Sequence, residues 1–355
     1  MSARHLKFLF ERVRTGLAGR IGVDVDLLKS ASSIETLNPA EIISGSPCIA
    51  LPEQYERVIA CGFELDPVQE VAQLKGAPRT IGPTTQYVLD DVIVSNGTLY
   101  GRGRHKYFNK DVVFQSNEAS WVEYDQAALR SSFVGCHFFG HWLRDDCATH
   151  LIACNFGTPL SMPTPLWPDR KGYLDQFEQR SVELRRAHIK RLFLFDDIYQ
   201  NAHKAQRFRA LRVRIASSQT PKRVGHIVYL MRGSGGKQRL LLNEEEITEA
   251  LSRRGVVVVR AETLNISQLV SELLGARIII SVEGSQLSHA LFTLHDRGGI
   301  LVIQPPERFF NSHFDWARAL NMQYGVVVGK KLDQGFYLPI DDLLNTIDLL
   351  DKSIQ

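Results

Sequence analysis

From residue 226 onward the sequence alternates between short β-branched runs and longer amphipathic stretches, and this rhythm restricts the chain to one class of architecture. The runs are "HIVYLMR", "GVVVVRA", "RIIISV", "GGILVIQP" and "YGVVVG". Between them lie "NEEEITEALSRR", "NISQLVSELLGA", "SQLSHALFTL" and "DWARALNM", spaced as helices. Strands that are apolar almost throughout belong in a parallel sheet, where both faces are covered. Five such strands with intervening helices predict a doubly wound parallel sheet. Asn243 reads as an N-cap ahead of three glutamates that suit a helix N-terminus. In the last segment Leu343, Leu344, Ile347 and Leu350 recur at helical spacing, predicting a closing helix that packs on either domain, the N-terminal one included.

The first half is less regular. "RVIACGFEL", "YVLDDVIVSNGTLYG" and "DVVFQ" read as strands, with "SNGT" as a hairpin turn, and a helix is expected over about 141 to 155. The proline-rich "NFGTPLSMPTPLWPDRKG" reads as a loop. Polar residues and Pro221 place a domain boundary near 217 to 223, giving domains 1–217 and 218–355.

With 355 residues, two domains are the natural expectation. A net charge of +3 argues against nucleic acid as a partner. No stretch has the ~20 uninterrupted apolar residues of a membrane span. The first twenty residues set Arg4, Lys7, Arg12, Arg14 and Arg20 among Leu6, Phe8, Leu9, Phe10 and Val13. That pattern fits a terminal helix packed on its own domain or a basic amphipathic helix touching a membrane surface. Five cysteines without a C-x-x-C point to a reducing, cytoplasmic location, with peripheral attachment to the inner membrane as the variant. Cys147, His150 and Cys154 share one helical face without a standard zinc spacing, so no metal site is expected.

In an open α/β sheet, ligands bind beyond the carboxyl ends of the strands. One such corner is "SVEGSQLSHALF": Glu283 can accept hydrogen bonds, Gly284 permits close backbone approach, and Ser285 and Gln286 open a helix. A second is "YLMRGSGGKQRLLLNEEE", where Arg232, Lys237 and Arg239 supply the positive charge a pyrophosphate needs. It lacks the glycine fingerprint of a dinucleotide fold and the Ser or Thr of a P-loop. A third is "FGHWLRDD", where His141 and Asp145 lie one helical turn apart; either is a candidate general base. Asp24 and Asp26 form an Asp-x-Asp pair too early in the chain to serve a metal-bridged donor, and the doublet Asp196/Asp197 reads as a turn or cap.

In their order and spacing, "FGHWLRDD", "YLMRGSGGKQRLLLNEEEI" and "IIISVEGSQLSHALF" followed by "GGILVIQP" resemble glycosyltransferase family 61, especially bacterial members linked to capsular and other surface polysaccharides. The resemblance implies a GT-B-like enzyme with two Rossmann-like domains facing a cleft. It implies an inverting, metal-independent transfer from a nucleotide-sugar, a UDP-sugar being expected, to a glycan acceptor, with no tightly bound cofactor. Arg232, Arg239 and Asn243 match the family's Arg and Asn-Glu block, and Glu283, Gly284, Ser285 and His289 its glycine-rich corner. Many relatives carry His and Ala where this chain has Glu283 and Ser285. Two other readings stand beside it: a nicotinamide-dependent oxidoreductase on a Rossmann sheet, and a noncatalytic carbohydrate-binding protein.

Overall fold

The computed structural model describes residues 3–20, 24–109, 121–232, 239–294 and 296–354. The chain divides into two units, Met1–Ala40 with Gly82–Tyr199, and Glu41–Ile81 with Gln200–Gln355.

The first unit opens with helix α1 (Ala3–Arg20). Its mixed sheet uses β1 (Ser33–Asn38), β2 (Thr84–Ser95), β3 (Thr98–Gly101), β4 (Arg104–Tyr107), β5 (Val122–Leu129), β6 (Thr158–Ser161), β7 (Val182–Glu183) and β8 (Arg186–Asp196). The order is β4-β3-β2-β8-β5-β6-β7, with β1 also paired to β2. The "SNGT" turn joins β2 to β3, and Asn96 and Gly97 both have positive φ (49° and 67°), the conformation a two-residue hairpin turn requires. Strands β8, β5, β6 and β7 run parallel. In chain order that block reads 3-2-1-4 from β7 to β8, a Rossmann half whose order reverses between β5 and β8. Leu89, Val92, Leu129, Leu160, Ile189 and Leu192 share its core.

Two expectations for this half change. The proline-rich stretch is not a loop throughout, because Thr158–Ser161 finds open hydrogen-bonding groups on β5 and a short helix, α2, follows at Asp169–Gln176. "RVIACGFEL" is not a strand: it folds around short 3₁₀ turns, with Phe63 and Glu64 at positive φ, and counts with the second unit. "DVVFQ" lies outside the described residues.

The second unit contains helix α3 (Ala202–Ser218) and then β9 (Ile227–Met231), α4 (Glu244–Arg253), β10 (Val257–Arg260), α5 (Ile266–Leu273) and β11 (Ile278–Val282). They are followed by α6 (Ser288–Thr293), β12 (Gly299–Gln304), α7 (Phe314–Ala319), β13 (Gln323–Val328) and α8 (Ile340–Ile354). The five strands are parallel in the order β10-β9-β11-β12-β13. This is the doubly wound 2-1-3-4-5 arrangement, with its reversal between β9 and β11. The α/β expectation therefore holds.

Helix α3 belongs here because Phe208 meets Phe292 edge-on at 6.0 Å and Arg209 and Arg212 both pair with Asp296. The division accordingly falls before α3, at Tyr199/Gln200, rather than at 217 to 223. Residues 41–81 join the same unit: the Ile49 amide donates to Tyr324 O (2.8 Å) and Val326 N to Ile49 O (2.9 Å), extending the sheet beyond β13. Helix α8 packs on its own sheet. Leu343, Ile347 and Leu350 share the core with Ile280, Leu301 and Val327, and Gly299 and Gly325 leave the room that Leu350 fills. Among the described residues no helix is long and apolar enough to cross a membrane.

Candidate active site

In the first unit the loop after β5 leads into a helix over residues 139–153, in which a π turn (Trp142–Asp146) interrupts the α-helical hydrogen bonding. Such turns reorient side chains locally and recur at functional sites. His141 and Asp145 meet here as their spacing predicts, Nδ1 lying 2.8 Å from Oδ2. Arg144 joins them, with Nε 3.3 Å from Asp145 Oδ1 and Nη2 2.7 Å from His141 Nδ1. A guanidinium only donates, so Nδ1 either donates to Asp145 or accepts from Arg144. In the first tautomer Nε2 becomes the basic nitrogen. The side chains of Asp145 and Arg144 are 3% and 6% exposed while that of His141 is 21% exposed, which makes the imidazole the member of the trio that solvent reaches.

The neighbouring carboxylates are structural. Asp146 accepts from the Ser132 amide (2.9 Å) and hydroxyl (2.8 Å), and its burial raises its pKa to about 7. Asp197, at the end of β8, accepts from the hydroxyls of Thr84 and Thr149, each at 2.8 Å, tying the helix to the sheet. It is a buried bridge rather than a turn residue. Around Cys147 and His150 the centre is already cationic: Arg130 lies 3.5 Å from Cys147 Sγ and 3.4 Å from His150 Nδ1. A metal there would have to displace that guanidinium.

The second corner lies at the carboxyl ends of β9 and β11, where the strand order reverses. Arg232 follows β9 and donates through Nη1 to Glu283 O at 3.0 Å, with Gln286 Oε1 at 3.4 Å. Arg239 Nη2 stands 2.6 Å from Glu283 Oε2, both side chains buried. Burial lowers the pKa of Arg239 to about 10 and also lowers that of Arg232. For Glu283 burial pushes the pKa up, against the pull of Arg239, Arg232 and Arg308. Three guanidinium groups around one carboxylate leave the corner net positive. Gly284 makes the arrangement possible, since a Cβ there would fall on the Arg232 guanidinium and the Gln286 amide. Gln286 Nε2 donates to Val282 O (2.6 Å) and Ser281 Oγ (3.1 Å), pinning the strand end.

The remaining predicted residues separate. Ser285 is exposed at the start of the turn before α6. Asn243 precedes α4 as expected, but its side chain neither caps the helix nor faces the corner: its amide donates to Leu338 O (2.8 Å) and accepts from Leu338 N (3.1 Å). His289 is 2% exposed inside α6, and burial lowers its pKa to about 4. Lys237 lies outside the described residues. Two residues were not singled out beforehand. Arg308 follows β12, and buried His313 sits 3.0 Å from Gly284 O through Nε2 while its Nδ1 accepts from Trp316 Nε1 at 3.2 Å. Their only sequence signal was position, since "QPPERFF" continues from the carboxyl end of the next strand.

No curated protein matches the chain. The family model described as Glycosyltransferase 61 matches residues 139–301, from the start of the His141 helix into β12, so both corners fall largely within it. Over those residues the chain is similar to that family.

Proposed function

We propose that the protein is an inverting, GT-B-like glycosyltransferase that moves a sugar from a nucleotide-sugar, a UDP-sugar being the expected donor, to a hydroxyl of a glycan acceptor in surface polysaccharide synthesis. The observation that carries this reading is the net-positive corner of Arg232, Arg239 and Arg308 at the reversal point of a parallel sheet. Two oxygens of a diphosphate are suited to guanidinium donors, each charge-assisted bond contributing roughly 1.5–3 kcal/mol. These cations do the work a metal does in other transferases, so transfer is expected to persist in EDTA. Glu283 serves both to hold Arg239 and to accept from a hydroxyl of the donor.

In the reaction the acceptor oxygen attacks the anomeric carbon and its proton passes to His141 Nε2. The bond from that carbon to the diphosphate oxygen breaks, and the departing group carries the electron pair to the arginines. Asp145 holds the ring in the productive tautomer and stabilises its protonated form.

A panel of UDP-, GDP-, CMP- and dTDP-sugars, with NAD(H) alongside, tests the proposal through the melting temperature. One nucleotide-sugar class should raise it, and that donor should then support transfer that His141→Ala abolishes without weakening donor binding. Stabilisation by NAD(H) alone would convert the reading to an oxidoreductase. Tight oligosaccharide binding without turnover on any donor would leave a noncatalytic binding protein.

A further inference from the structure

Helix α1 carries two opposed faces. Toward its own sheet it sends Glu11 and Thr15, both buried, and Phe8, which packs edge-on against Tyr100 at 5.6 Å. The Glu11 carboxylate accepts from Gly103 N at 2.7 Å, and Arg4 and Lys7 pair with Glu123 and Asp91. This side is therefore satisfied. At ~100° per residue, Leu6, Leu9, Phe10, Val13 and Leu17 fall in a single stripe about 100° wide on the other side. They are exposed: Leu6 53%, Phe10 64%, Val13 61% and Leu17 57%. A scattered exposed leucine needs no explanation, but a continuous stripe along a helix marks an interaction surface.

Charge decides what covers it. Arg12 and Arg14, both exposed, flank the stripe on opposite edges, Arg14 with Nη1 3.7 Å from the Glu11 carboxylate, and exposed Arg20 ends it. The only acid of the helix, Glu11, is turned inward. An apolar strip bordered by cations and free of outward carboxylates matches a bilayer interface, where acyl chains take the apolar side chains and lipid phosphates the guanidinium groups. We propose that the outward face of α1 docks the protein on an anionic lipid bilayer, with the helix lying in the interface plane. This inference is independent of the transfer reaction, and its test needs no sugar donor.

The experiment is flotation of the full chain with phosphatidylcholine vesicles and with vesicles containing 30% phosphatidylglycerol. The protein should float with the anionic vesicles at least tenfold more than with the neutral ones, and 0.5 M NaCl should release most of it. Phe10→Ser/Val13→Ser and, separately, Arg12→Glu/Arg20→Glu should each lower binding at least tenfold with the melting temperature unchanged, since all four side chains are exposed. Failure to float, equal binding to both vesicle types, or variants that bind as the parent does would each overturn the proposal. So would a parent that ignores vesicles but forms a dimer that Phe10→Ser/Val13→Ser dissociates, which would assign the face to a second copy of the chain.

Discussion

Burial lifts the Asp146 carboxyl from its ordinary 3.8 to about 7, while Ser132 donates to it twice. Between those values the folded chain retains a proton that the unfolded chain releases. The associated stability is full below about pH 4 and is lost as the pH rises through 7, with a slope of up to about 1.4 kcal/mol per pH unit. Asp146→Asn keeps an acceptor for Ser132 and should flatten this slope in denaturant titrations between pH 4 and 7. An unchanged slope would locate the titration elsewhere. Thr149→Val deprives the buried Asp197 carboxylate of one of its two hydroxyl donors and should lower stability by about 1–3 kcal/mol, measured the same way. Gly284→Ala drives a Cβ into the Arg232 guanidinium at a φ of 159° that strains any side chain, and should lower both nucleotide affinity and the melting temperature.

Among the elements, α8 shows how glycine placement in strands directs helix docking. Leu350 fills the space over Gly299 and Gly325, so Leu350→Ala should cost about 2–5 kcal/mol in chemical denaturation; a loss below 1 kcal/mol would mean that the helix is not anchored there. The strands of the second unit were legible in the sequence because burial on both faces demands unbroken β-branched runs. The Asn96-Gly97 hairpin was legible because few residues tolerate its dihedrals. Residues 41–81 were not, since what holds Ile49 is a backbone ladder to Tyr324 and Val326, far along the chain and with no local periodicity to announce it. Within the site, Arg232, Arg239 and Glu283 could be read because strand ends fix where a loop begins. The places of Asn243 and His289 could not be read for the same reason: a polar residue near a corner looks alike in sequence whether it faces the corner or, as here, the Leu338 backbone and the core.

Across the whole molecule the same topological device occurs twice. The first unit reverses strand order between β5 and β8, where His141 and Asp145 lie on the following helix; the second reverses between β9 and β11, where the arginines gather. Substitutions at His141 and at the arginines should therefore divide between turnover and affinity. The most direct test is calorimetric titration of the nucleoside diphosphate of the preferred donor, in EDTA, into the parent protein and into Arg232→Ala and Arg239→Ala. Loss of a charge-assisted contact predicts affinity lowered about 10- to 150-fold in each variant, with His141→Ala binding as the parent does. Unchanged affinity in both arginine variants would contradict the central claim that this corner holds the diphosphate.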